Sequence, residues 1–325
     1  MHSKGTRFMF SAKQLMVYAA QNINRYGLIA GLFLVFLVFA SLRPNVFLTI
    51  VNLTGILKQV SLLGIISAGL TVCLVLGDWD LSIAAVATWS GVLTAALLPH
   101  TNMWLVILLV LLGGMGLGLV NGFLSVVVGI PSFITTLAMK TMLSGLTLWY
   151  TGGYSLYSGI PSAFVNLARG EFLGLSYLVY DLILIYVIFY IILDHSAFGK
   201  KIYATGGNPQ AAWFSGISTG KIRLTGFIIS SFFAALTGIL LAARLSSGQP
   251  RAGEGLLLNA FAAVFLGAAA SQKGRFNIAG TLFGVLFIGI LNNGLTILGV
   301  PFYLQYVIQG SVLILAVSVS RIVRR

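Results

Sequence analysis

Charge is what this chain has least of. Only 6 of its 325 residues are acidic and 8% are charged, where soluble domains carry about 25%. Hydrophobic residues make up 58% and the mean hydropathy is +1.00, so a water-soluble fold is excluded for most of the length. Cysteine is nearly absent. The single Cys73 lies in an apolar run, which rules out an intrachain disulfide and argues against a thiolate metal cluster. The three histidines, His2, His100 and His195, are scattered and match no metal-ligand spacing. A phosphate-binding loop is missing too. Gly216-Ile-Ser-Thr-Gly-Lys-Ile222 is one residue too short and has Ile where a magnesium-binding hydroxyl belongs. Gly114-Met-Gly-Leu-Gly118 lacks the strand–turn–helix context of a dinucleotide site, so the chain encodes no energy source and no enzyme.

What is present is apolar sequence in runs. The length rule for spanning helices gives ten: 27–43, 50–76, 81–98, 104–128, 133–149, 175–193, 222–243, 257–271, 278–298 and 303–320. Proline and glycine mark the joints, at Arg43-Pro44-Asn45, Leu98-Pro99-His100, Gly129-Ile-Pro131 and Gly299-Val-Pro301. The net charge of +13 does not indicate nucleic acid, because the cations cluster at helix ends, where they set orientation. With the N-terminus inside, ten spans place Lys4, Arg7, Lys13, Arg25, Lys200, Lys201, Lys221, Arg223, Lys273, Arg275, Arg321, Arg324 and Arg325 in the cytoplasm. Only Arg43, Arg169, Arg244 and Arg251 face out. The expected organisation is a lead-in at 1–26 without signal-peptide features, one all-α membrane domain at 27–320, and a basic tail at 321–325.

One polar island interrupts the apolar sequence, a cytoplasmic loop at 194–221 that carries Lys200, Lys201, a Gly206-Gly207-Asn208-Pro209 turn and a short helical run. A membrane protein that keeps such a helix in water has a docking segment for another protein, in the helix-in-groove manner. The halves around it show a weak repeat. Gly77-Asp-Trp-Asp-Leu-Ser resembles Gly253-Glu-Gly-Leu-Leu-Leu, and Asn121-Gly122 before Pro131 echoes Asn293-Gly294 before Pro301. The matched pieces face opposite sides, as an inverted repeat requires.

Several residues invite a chemical reading. Asp78 and Asp80 flank Trp79 at a break, where intramembrane acids suggest an ion relay. A plainer reading makes Asp80 the N-cap of a helix beginning near Leu81. Lys140 either faces a watery cavity or snorkels from its helix. Asn121, Ser125, Thr135, Thr136, Asn259, Asn292 and Asn293 suit a neutral polyhydroxyl solute or, equally, interhelical bonds of about 0.6 kcal/mol. The expected translocation path runs by the breaks at Gly77–Asp80 and Gly129–Pro131, past Asp78, Asp80, Ser82, Asn121, Pro131, Ser132, Thr135, Asn259, Asn292 and Asn293. Gly114/Gly118/Gly122 and Gly280/Gly284 have the spacing of close helix packing.

Tyr203-Ala-Thr-Gly-Gly-Asn-Pro-Gln-Ala-Ala-Trp-Phe-Ser-Gly-Ile217 resembles the coupling loop of the sugar permeases of ATP-binding cassette (ABC) importers, the ribose permease group. The stretches 243–255, 262–268 with Lys273-Gly-Arg275, and Gly289-Ile-Leu-Asn-Asn-Gly-Leu295 agree with it. The family's acidic junction usually reads Gly-Gly-Ile-Asp-Leu-Ser-Val-Gly, and this chain keeps Asp80, Leu81 and Ser82 but adds Asp78 and has Ala84 for the last Gly. The resemblance implies a permease of the bacterial cytoplasmic (inner) membrane, paired with itself or a sister permease. Its partners would be a cytoplasmic ABC ATPase and an extracytoplasmic sugar-binding protein, with ATP and Mg on the ATPase and no cofactor on this chain. Gly206, Gly207, Asn208, Pro209, Ala211, Ala212, Ser215, Gly216 and Ile217 would form the coupling loop. The expected activity is ATP-driven uptake of a neutral monosaccharide. A nucleoside or branched-chain amino acid permease, or an ion-coupled carrier using Asp78 or Asp80, stays open beside it.

Overall fold

An apolar run in lipid can satisfy its own backbone by closing helical hydrogen bonds. Each of the ten runs is a helix in the computed structural model, which describes residues 12–269, 271 and 274–322. In order these are α1 (Ala12–Leu42), the short α2 (Pro44–Phe47), α3 (Ile50–Val75), α4 (Ile83–Leu97), α5 (Met103–Gly122) and α6 (Ser132–Thr151). The amphipathic α7 (Ser162–Arg169) and a ribbon pairing β1 (Glu171–Phe172) with β2 (Leu175–Ser176) lead into α8 (Tyr177–Tyr190). Then come α9 (Ala197–Gly207), α10 (Pro209–Phe214), α11 (Thr219–Leu245), α12 (Glu254–Ala269), α13 (Ile278–Ile297) and α14 (Phe302–Ile322). Helices α5 and α8 each run on into a π-helical turn, at Phe123–Val127 and Ile191–His195.

Among the described residues, five helices are long and apolar enough to cross a membrane: α3, α5 and α8 with their π turns, α11 and α13. Gly27–Leu42 within α1, α4 and α12 are apolar but shorter. The architecture is that of an all-α membrane protein. A single helix, Ala12–Leu42, runs across the division drawn at 26/27. One sequence expectation needs correction. Gly206 and Gly207 belong to the end of α9 and form no turn there. Residues 1–11 of the lead-in, 323–325 of the tail and Lys273 lie outside the described residues.

Helices α3 and α11 form the centre, with 83% and 67% of their most apolar stretches buried. α11 packs on α3, α4 and α5, and α3 packs on α8, α11, α12 and α13. The glycine spacings explain how backbones come so close. A Cβ on Gly118 would meet the Cα of Ile228 at 2.8 Å, and one on Gly284 would strike the carbonyl of Ala263. Both expected packing faces are therefore present, α5 on α11 and α13 on α12.

The four helices from α3 and the four from α11 share their joints. α3 and α11 are each followed by a left-handed residue, Gly77 (φ +82°) and Ser246 (φ +53°). α5 and α13 are N-capped by Asn102 and Asn277, whose side chains accept from Trp104 and Gly280 N–H. Left-handed glycines follow the third helix of each set, Gly129 (φ +86°) after α5 and its π turn and Gly299 (φ +71°) after α13. Pro131 and Pro301 then accept the N–H groups of Ile134 and Thr135 in α6 and of Leu304 and Gln305 in α14.

Candidate functional site: a broken helix joined to a polar helix pair

The break after α3 is built residue by residue. Gly77 N–H donates to the Leu74 carbonyl (3.1 Å) and Asp78 N–H to the Cys73 carbonyl (2.9 Å), which closes α3 with a left-handed glycine. The chain then runs unwound to Ile83, and unwound backbone away from water needs partners. Helix α6 provides them. Ser132 Oγ accepts the Trp79 N–H (3.1 Å). Thr136 Oγ1 accepts the Leu81 N–H (3.1 Å) and is placed to donate to the Trp79 carbonyl (3.0 Å) or the Ser132 carbonyl (2.7 Å). The Trp79 indole lies flat on Phe261 of α12, with centroids 5.7 Å apart and planes at 17°.

Both acids of the break are engaged. Asp80 is fully buried: one carboxylate oxygen accepts the Ser82 N–H (3.0 Å) and hydroxyl, and the other accepts Ser230 Oγ of α11 (2.7 Å). Asn121 Nδ2 of α5 in turn donates to Ser82 Oγ (2.9 Å). The capping expectation is met only in part: helix α4 begins at Ile83 with Ser82, not Asp80, in the N-cap position and without a side-chain cap bond, while Asp80 takes the Ser82 N–H just before the helix. Asp78, 3% exposed, accepts two bonds from Arg223 near the start of α11, from Nε (2.9 Å) and Nη2 (2.7 Å). A fork on a carboxylate is among the stronger polar contacts available to a protein. Each carboxylate is thus held by partners within the chain.

The polar island is two helices meeting at a joint. Ser196 caps α9, accepting the Gly199 N–H. Asn208 leaves the helical region (φ −154°), caps α10 through the Ala211 N–H (3.0 Å) and is followed by Pro209 in the first helical position. Gly216 (φ +82°) closes α10, with the Ile217 N–H donating to the Ala212 carbonyl (3.0 Å) and the Gly216 N–H to the Trp213 carbonyl (2.9 Å). Ala212 is buried at 4%, while Trp213 and Phe214 are 62% and 81% exposed. The outward contacts are thus aromatic, and Ala212 faces inward. Gly206 also faces inward: its backbone lies against the Val75 carbonyl at the end of α3, where a Cβ would collide. A cavity of about 280 Å³ beside this contact is lined by Val75, Gly77, Tyr203 and Phe276 among others. Burial, with Asp194 nearby, pushes the Tyr203 phenol up to about 12 against the opposing pull of Arg275, so it stays neutral at physiological pH.

A second cavity, about 290 Å³, lies where the first turns of α4 and α12 approach, tied by the Gly253 N–H to Thr88 Oγ1 (3.1 Å). Ala84, Thr88, Lys140, Ser144, Arg251 and Glu254 line it, so Lys140 faces a cavity. Other residues expected on the path have packing partners. Asn292 Oδ1 accepts Gln309 Nε2 of α14 (3.0 Å), and Asn293 exchanges amide bonds with Asn52 of α3 (2.8 and 3.2 Å). Asn259 Nδ2 donates to the Gly255 carbonyl (2.9 Å) of its own helix. The Thr135 hydroxyl and Asn121 Oδ1 are buried without a hydrogen-bond partner. Arg223, noted in the sequence only as an orienting charge, and Ser230 are the residues sequence reasoning missed. Their partners lie 145 and 150 residues away, and no local pattern marks such a distance.

A family model described as "Branched-chain amino acid transport system / permease component" matches residues 52–317. The ribose import permease protein of Bacillus subtilis (strain 168) is 38% identical over 301 residues, covering 92% of this chain and 93% of that protein. The L-arabinose ABC transporter permease protein of Azospirillum brasilense is 37% identical over 91% of this chain and 87% of its own length. The D-allose transport system permease protein of Escherichia coli (strain K12) is 34% identical over 93% of both. No solved structure matches. With a family model covering most of its length and relatives above 30% identity end to end, the chain belongs to this family of transport-system permease components.

Proposed function

We propose that this chain is the membrane-spanning permease subunit of an ABC importer for a neutral monosaccharide. The observation that carries this reading is 38% identity to a ribose import permease across 92% of the chain. In this reading ten helices span the bacterial inner membrane, with both termini and the 194–221 segment inside. A second permease chain, a cytoplasmic ATPase and an extracytoplasmic sugar-binding protein complete the importer, and ATP and Mg belong to the ATPase. The shared joints of α3–α6 and α11–α14, and the packing of each first helix against the other set, support an inverted repeat.

The geometry favours an ATPase over an ion gradient as the energy source. Asp78 and Asp80 are held by Arg223, Ser82 and Ser230, which supports a structural reading of both acids. The α9–α10 pair offers Trp213 and Phe214 outward, and Gly206 links it directly to the broken helix. A partner that pulls on α10 would move the break. The test is co-purification with the importer's ABC ATPase. Trp213→Asp combined with Phe214→Asp should abolish ATPase capture while leaving membrane insertion and thermal unfolding unchanged, since both side chains are exposed. Full capture by that variant would overturn the docking assignment.

A further inference from the structure

Lys140 presents a problem that the docking and hinge geometry leave unsolved. It lies eight residues, about 12 Å, from the start of α6 and eleven residues, about 16 Å, from its end. Its stem cannot carry the ammonium to either end of the helix. Among the described residues, no carboxylate comes within ion-pair distance of it and no hydrogen bond reaches it. In the ten-span reading α6 crosses the membrane, where an unpaired cation is expensive and typically faces a watery cavity. Lys140 does so, across from Glu254 and Arg251, which themselves only approach each other (3.9 Å, both exposed). Thr88 and Ser144 add hydroxyls and Ala84 a small apolar wall. About 290 Å³ is at the lower end of ligand cavities, room for one small solute and too little for an oligosaccharide.

We propose that this cavity is a sugar subsite on the translocation path, with Lys140 donating to, and Glu254 accepting from, the hydroxyls of one neutral monosaccharide. The inference rests on the sugar-importer reading and adds the residues that meet the cargo. A polyol both donates and accepts, so a cation and a carboxylate facing one space fit it better than charges of one sign. Hydrogen bonds to charged groups are also stronger than neutral ones. The mixed charges come from α6 and α12, so the subsite forms only when those helices hold their present spacing.

The test uses the complete importer in proteoliposomes, with D-ribose, L-arabinose and D-allose as radiolabelled probes. Lys140→Met should lower uptake of the transported sugar about tenfold through a raised half-saturation constant. ATPase capture and thermal unfolding should be unchanged, because Lys140 has no partner to lose. Lys140→Arg should recover much of the loss, and Glu254→Gln should weaken uptake in the same direction. If the wild-type importer carries a sugar and Lys140→Met carries it within twofold, the subsite is overturned while the importer reading stands. If the wild type carries none of the three nor any other neutral pentose or hexose, the proposed function fails and this inference falls with it.

Discussion

Asp78 and Arg223 join two helices whose first residues are far apart in the chain, and that contact sets the energetics of the break. Asp78 is almost wholly buried, and the Arg223 side chain is 32% exposed, so removing one partner strands the other only partly. Loss of one member of a fully buried pair costs about 3–5 kcal/mol, so Asp78→Asn should destabilise by roughly 2 kcal/mol here. The double variant with Arg223→Gln should cost less than the two single changes summed, because the second change removes a charge already stranded. Thermal unfolding in detergent measures all three, and strict additivity would mean that the pair is not coupled. At this scale the sequence was legible in kind more than in address. Polar residues near the break were visible, but Thr136 rather than Thr135 grips it, a choice fixed by one step around the α6 surface. Asp80 reads as a cap because it precedes a helix; one oxygen does take the local Ser82 amide, and the other goes to Ser230, 150 residues away, which no local pattern marks.

Among the elements, the α9–α10 pair meets the end of α3 at one glycine. A methyl group on Gly206 would collide with the Val75 carbonyl, whereas one on Gly207 meets nothing within 4 Å. Gly206→Ala should therefore lower the unfolding temperature and loosen α9 from α3. Gly207→Ala should be neutral or stabilise by up to about 1 kcal/mol, since both positions are helical and alanine is the better helix former. Equal effects would remove the close contact from the account. The helices themselves were readable from apolar length, and the Gly-X-Pro joints from their breakers. Gly206 and Gly207 read as a turn because glycine next to Asn-Pro usually marks one. The structure uses Gly206 for the room it leaves a neighbouring carbonyl, a tertiary demand that is silent in local sequence.

For the molecule as a whole, the proposed sidedness can be tested with the chain's own scarcity of cysteine. Cys73 is fully buried, so replacing it by Ala yields a background with no reactive thiol. Cysteines placed at Tyr154 (79% exposed) and at exposed Gly207 should label from opposite faces, the first in intact cells and the second only after permeabilisation. Labelling of both from one side would refute the ten-span arrangement. The central position of α3 also bears on how the protein is made. Asn52 waits for Asn293, 241 residues later, and Thr71 for Thr281, 210 residues later (2.9 Å between their hydroxyls). Asp78 and Asp80 likewise depend on a helix synthesised long after them. During translation the first half must therefore hold these groups with local partners alone, Ser82 for Asp80, Phe47 for Asn52 and Ser67 for Thr71, and a ribosome that stalls before α13 leaves behind a fragment whose most buried helix lacks part of its lining.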